Sequence, residues 1–200
     1  MCMGAGMRTK STETYEIASF NRRLLERIRR EAATDARATA SRFDLDINVC
    51  TTLANTREAV LLERLPNQYK FLARLALPNA YWPSRETRFQ TTKTKSEEHK
   101  GPWFILNQEL LLKAKSLAMG SISHCCFALD LTTSQARTMA LTSIDSINAL
   151  ALNERPIFTV DLDATMLGMS LNMPPEFADL YAVMYSPPPH ARRSRAAIIT

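Results

Sequence analysis

The feature that most constrains this chain is a long stretch of sequence that is stated twice. SRFDLDINVCTTLANTREAVLLERLPNQYKFLARL is echoed by HCCFALDLTTSQARTMALTSIDSINALALNERPIFTVDL, and matching Phe43 to Phe127 sets the copies 84 residues apart. Each copy reads as a long helix, an alternating segment, two short helices and a candidate strand. The alternating segments, Phe43-x-Leu45-x-Ile47 and Phe127-x-Leu129-x-Leu131, predict an extended link in both. Repetition of element order marks a duplicated folding unit. The expected division is a truncated first module over 11–77, a linker over 78–102 and a second module over 103–185. Residues 1–10 and the basic tail 186–200 read as disordered.

The long helix of the first copy is predicted from near Glu13 toward Ala40, with Ile17, Phe20, Leu24 and Ile28 facing inward. Its outer face crowds Arg22, Arg23, Arg27, Arg29 and Arg30 into two turns, with Glu26 and Glu31 as partial partners. That face is either a solvated set of i,i+4 pairs or a surface for DNA phosphates. In the second copy, Trp103, Leu106, Leu110, Ala114 and Leu117 recur at helical spacing. Thr132 with Gln135 has the spacing of a capping box, placing a helix start at Thr133. Thr142 is the candidate N-cap of the next helix, with Asp145 in its first turn and Ile144, Ile147 and Leu150 on its face. Two short helices meeting there have the outline of a helix-turn-helix, an outline shared with hairpins that never touch DNA.

Short strands are predicted over about 69–75 and 157–162. A lone strand leaves its backbone groups unpaired, so each needs a partner. Lys70 and Arg74 on one against Asp161 and Asp163 on the other favour antiparallel pairing of the two within one molecule. Residues 1–101 hold 18 Lys+Arg and 12 Asp+Glu, whereas 102–200 hold 7 and 8, so the halves differ in sign. The expected core contains Leu24, Ile28, Phe43, Leu45, Leu53, Leu61, Leu110, Leu117, Phe127, Leu129, Ile144, Ile147, Leu150, Phe158 and Val160. After the second strand, Met166, Leu167, Met169 and Leu171 predict a short helix.

The residues from Trp103 to Tyr185 resemble FlhD, the small subunit of the bacterial FlhD–FlhC regulator of flagellar genes. The resemblance rests on Asn107, the LLLKAKSL run, Phe127-Ala128-Leu129, Ala140, Leu150-Ala151, the segment 158–163 and Asp179-Leu180. The first copy shares it through Phe43-Asp44-Leu45, Ile47-Asn48, Thr51-Thr52-Leu53-Ala54 and Gln68. FlhD is a dimer, so the resemblance implies a mostly helical pseudo-dimer on one chain, the two modules joined by their strands. It also implies an FlhC-like partner, activation of flagellar or related promoters, and DNA reached through the complex. The candidate DNA-binding residues are Arg22, Arg23, Arg27, Arg29 and Arg30, with Arg192, Arg193 and Arg195 of the tail. The candidate partner-binding face is Phe177, Leu180, Tyr181 and Met184, where the family has its carboxy-terminal segment. The cysteine that bridges some FlhD dimers would fall at Phe158, so that disulfide is not expected. A stand-alone basic DNA-binding protein and a non-activating paralogue that sequesters the partner are the alternatives.

Other chemistry finds little footing in the residues. Five glycines are scattered singly, so no phosphate loop is written here, and no nucleophile–base pair stands out. Cys2, Cys50, Cys125 and Cys126 show no ligand spacing with His99, His124 or His190, so neither a metal nor another cofactor is implied. Adjacent Cys125-Cys126 reads as buried thiol, and His124 as a helix-end residue. The expectation is therefore a non-enzyme. With no apolar leader and no span-length apolar run, a cytoplasmic location is expected. The linker's one apolar cluster, Tyr81-Trp82-Pro83, reads as a packing anchor.

Overall fold

The computed structural model describes residues 6–64, 70–77 and 100–172. Its element order is α1 (Gly6–Thr34), α2 (Ala36–Phe43), α3 (Ile47–Asn55), α4 (Glu58–Arg64), β1 (Ala73–Leu75), α5 (Phe104–Gly120), α6 (Ile122–Leu129), α7 (Thr133–Leu141), α8 (Ile144–Ala151), β2 (Phe158–Val160) and α9 (Ala164–Asn172). The described residues are thus mostly helical, with one small antiparallel sheet among them. α1 packs on α2, α3 and α4, as α5 packs on α6, α7 and α8. Among the described residues no helix is long and apolar enough to cross a membrane.

The long first helix does not run unbroken to Ala40. Asp35 leaves helical geometry at φ −153° and its carboxylate accepts the Ala38 N–H, so the chain restarts there as α2. Nor are the segments after it extended links. Phe43 and Leu129 are the last residues of α2 and α6, and each helix is stopped by an aspartate in the left-handed region, Asp44 at φ 56° and Asp130 at φ 54°. Aspartate tolerates that conformation better than branched or bulky residues, and the turn frees the N–H of Leu45 and Leu131 to close on Ala40 O and Cys126 O. Alternation over five letters was therefore a helix end followed by a turn.

The capping box at Thr132 and Gln135 forms with both of its bonds, and α7 starts at Thr133. The next cap lies one residue beyond the expected one. Thr142 closes α7, its hydroxyl donating to Thr138 O at 2.9 Å, while Ser143 Oγ accepts the Ser146 N–H at 3.1 Å and caps α8. Asp145 sits in the first turn of α8 as expected.

These caps give the register of the internal echo through the helices, and it is 86 residues, as from Asp44 to Asp130, rather than 84. Asp35 and Ser121 cap α2 and α6; Asp46 and Thr132 cap α3 and α7. Under this register Phe43 corresponds to Leu129, and both are buried. Phe127 has no buried counterpart and is 53% exposed. Ile144 is likewise half exposed and Leu150 only partly buried, because the stripe that α8 turns inward is Ser146, Ile147 and Ala151. Every other expected core residue is buried.

β1 and β2 pair antiparallel with Ala73 opposite Val160, Arg74 opposite Thr159 and Leu75 opposite Phe158. The ladder continues on both flanks, Ala76 N–H donating to Ile157 O at 2.9 Å and Asp161 N–H to Leu72 O at 2.7 Å. Phe158 stacks on Phe43 at 6.3 Å between ring centroids, and Trp103 meets the same ring edge-on at 5.3 Å. One continuous apolar cluster therefore runs through residues from both halves of the chain.

Truncation of Phe43 should cost the whole protein about 3–5 kcal/mol, since its ring holds residues of both halves. Phe127→Ala should stay within about 0.5 kcal/mol, being a surface change. Urea unfolding of the two variants checks this, and equal costs would contradict the 86-residue register.

Candidate interaction site

Where the two halves meet, two fully buried asparagines do the same job. Asn21 on α1 accepts the Leu72 N–H at 2.9 Å and donates to Lys70 O at 2.9 Å. Asn107 on α5 accepts the Ile157 N–H at 3.2 Å and donates to Arg155 O at 3.1 Å. Each side-chain amide satisfies the backbone of the segment leading into its strand, which is what makes burying it tolerable. The shared bonds also match Leu72 to Ile157, so the echo, 86 residues in the helices, is 85 in the strands. Asn21 is not conspicuous in the sequence beside its arginines. The signal was the shared Asn-x-x-Leu-Leu of Asn21–Leu25 and Asn107–Leu111, hidden by an echo aligned on phenylalanines.

Side chains from the two halves are joined by ion pairs of complementary sign. Arg23 pairs with Glu109, and Lys113 Nζ lies 3.1 Å from Glu16 and 3.8 Å from Glu109, forming a four-charge chain between α1 and α5. Arg27 pairs with Glu31 at 2.6 Å and lies 4.8 Å from the Trp103 ring centroid. Lys70 reaches Asp161 at 3.7 Å. Arg74 turns instead to Asp130 at 3.1 Å, whose Oδ2 is buried without a directed hydrogen bond and is held by charge. Glu16, Glu109 and Lys113 carry this seam and were not singled out from sequence, where they look like ordinary surface charges.

The arginine row of α1 is consequently not one surface. Arg23 and Arg27 face the second half, while Arg29 donates to Thr56 O at 3.0 Å and pairs with Glu58 at 3.1 Å. Arg22 and Arg30 are exposed, with Arg30 Nε bonded to Glu26 O at 3.3 Å. The Arg29 bond has a counterpart in Lys115, which donates to Ala140 O and Thr142 O at 2.8 and 2.7 Å. Arg192, Arg193 and Arg195, and the face Phe177, Leu180, Tyr181 and Met184, lie outside the described residues, as does Tyr81-Trp82-Pro83.

Along the outer edge of the seam, α5 presents an exposed apolar line to solvent beside a shallow groove of about 380 Å³ bordered by Glu16, Glu109 and Lys113. The cysteines are interior: Cys50 and Cys125 are buried and Cys126 half-buried, with Cys125 Sγ 3.4 Å from Ala114 O. Burial, then the neighbouring Cys126, pushes the Cys125 thiol up to about 11, and burial raises Cys50 as well. Among the described residues no three His, Cys, Asp or Glu side chains group as a metal site. Against known protein families, curated proteins and solved structures, this chain finds no match.

Reversing one charge at the seam, Glu109→Arg, should destabilise by about 0.5–1 kcal/mol, the modest size expected of a partly exposed pair. The swap Arg23→Glu with Glu109→Arg should recover most of it in a double-mutant cycle, and additive losses would deny that the two side chains interact. For Cys125, an unfolded thiol ionises near its usual 9.0 while the folded one holds its proton to about 11. Stability should therefore be intact below that lower value and fall with rising pH across the interval, and Cys125→Ala should flatten the fall. Urea midpoints measured at several alkaline pH values decide it.

Proposed function

We propose that this chain is an FlhD-like transcription-regulator subunit carrying both halves of the dimer on one polypeptide, binding an FlhC-like partner and acting at promoters through that complex. One observation carries the proposal: positions that correspond between the halves meet each other. In the strand register set by the two asparagines, Arg74 and Thr159 correspond, and they are paired in the ladder. Ala76 N–H to Ile157 O and Asp161 N–H to Leu72 O are counterparts of one another. In the helix register, Arg23 and Glu109 correspond and form an ion pair. Equivalent residues meet only on a two-fold axis, the self-complementary relation of a C2 dimer.

In a homodimer, a residue on such an axis faces its own copy, and a charge there repels itself. On one chain the two positions are free to differ, and Arg23 against Glu109 is that difference. The fused arrangement is thereby favoured over pairing of either half with its like. No catalytic step enters this role. DNA contact comes mainly from the complex, with Arg22, Arg30 and the tail arginines Arg192, Arg193 and Arg195 adding nonspecific phosphate attraction.

Co-expression with an FlhC homologue should yield a co-purifying complex that distinguishes promoter from random duplex and weakens steeply with salt. Failure to form any complex would sink the proposal. A complex blind to promoter sequence would instead make the chain a partner-sequestering protein.

A further inference from the structure

The seam is two-fold in its backbone but not in the side chains that meet on it. In the strand register Phe158 corresponds to Ala73, and in the helix register Phe43 corresponds to Leu129. The stacked pair Phe43–Phe158 on one side of the axis is therefore answered on the other by Leu129 and Ala73, all four of them buried. Two positions on the axis differ as well: Arg23 meets Glu109, and Arg74 lies opposite Thr159 in the ladder. Each half carries a shape and a charge that its counterpart lacks.

Pairing of like halves would undo this match. Two first halves would set Arg23 on Arg23 and Arg74 on Arg74, and would leave the methyl group of Ala73 where Phe43 now finds a ring. Two second halves would set Glu109 on Glu109. The seam therefore accepts a complementary half and excludes a like one.

The complementary half need not come from the same molecule. The described chain leaves the first half beside Ile157, whose carbonyl accepts the Ala76 N–H, and re-enters at Gly101, against the backbone of Glu154. Glu154 and Ile157 are three peptide units apart, at most about 11 Å. Residues 78–99, which join these ends, reach roughly 70 Å at full extension. A far shorter connection would hold the halves of one molecule together, whereas this one is long enough to deliver a half to a neighbour. We infer that the seam also takes a second copy of this chain by reciprocal exchange of halves. The first half of each molecule closes on the second half of the other, giving a two-fold dimer in which every seam contact is made twice. A flexible connection gives the half of the same molecule a local concentration of roughly millimolar, so the chain is a monomer at ~10 μM and exchanges as its concentration approaches that value. Exchange requires the ladder and the shared core to open, so monomer and dimer interconvert only as fast as the protein unfolds. Neither the regulator role nor any DNA contact enters this association.

The test uses two full chains, neither of which can satisfy its own seam. One carries Arg23→Glu with Lys70→Glu, the other Glu109→Arg with Asp161→Lys, so that the pairs Arg23–Glu109 and Lys70–Asp161 become like-charged within either molecule. Exchange between the two restores opposite charges in both seams, one natural and one reversed. Mixed unfolded in equal amounts and refolded at about 100 μM, they should give a dimer of one copy of each by native mass spectrometry, at least about tenfold more abundant than the dimer of either variant refolded alone. No mixed dimer from two variants that keep the natural helix content overturns the exchange. Equal dimer in the mixture and in each variant alone overturns it too, since the seam charges would then not be what joins the copies. Should either variant fail to fold, the natural chain is refolded at about 1 mM and then diluted. A dimer that dissociates only on the timescale of unfolding supports the exchange, and a monomer, or a dimer that dissociates at once, overturns it.

Discussion

The ladder between β1 and β2 is the interaction on which the other contacts depend. A strand of three residues has too few backbone bonds and too little buried surface to persist by itself, and among the described residues each strand is the other's only strand partner. Pairing them brings residues more than eighty positions apart into register and turns the two helical groups face to face. Phe158 can then lie on Phe43, and Phe71 N–H can reach Ala128 O at 2.9 Å, so each strand is also sealed against the opposite group of helices. The interior is continuous because the ladder makes it so.

Polar groups, more than apolar ones, specify this arrangement. Apolar side chains pack with many alternatives of similar energy, whereas a buried amide has few acceptable positions. Asn21 and Asn107 each tie a helix to the segment entering a strand, which fixes strand height against helix axis. Asp44 and Asp130 act similarly on the backbone, ending α2 and α6 in a conformation that few residues tolerate. The caps around them set helix starts to within a residue.

Correspondence inside and divergence outside have different physical origins. Interior positions are held by mutual packing, so a change on one side needs a matching change on the other. Surface positions carry no such restraint, so the two halves can differ in charge and in exposed residues. Complementary signs at the seam, Arg23 with Glu109 and Lys113 with Glu16, follow from that freedom. So does an apolar line on α5 where α1 carries Ser19, Glu26 and Ala33.

Helical content, the capping box at Thr132, the helix after β2 and the antiparallel partnership of the strands were legible in the sequence, because each follows from short-range spacing or from the need of a strand for a neighbour. The register of the echo was not: identical phenylalanines suggested 84 residues, and only backbone geometry at Asp44 and Asp130 shows 86. A letter match reports chemistry, while a left-handed residue reports where a helix stops, and at Phe127 the two disagree. The arginine row shows the same division. Its composition is plain in the sequence, but which guanidinium meets protein depends on what the fold brings to it: Glu109 and Trp103 reach Arg23 and Arg27 from across the seam, and Glu58 reaches Arg29 from α4 of the same half.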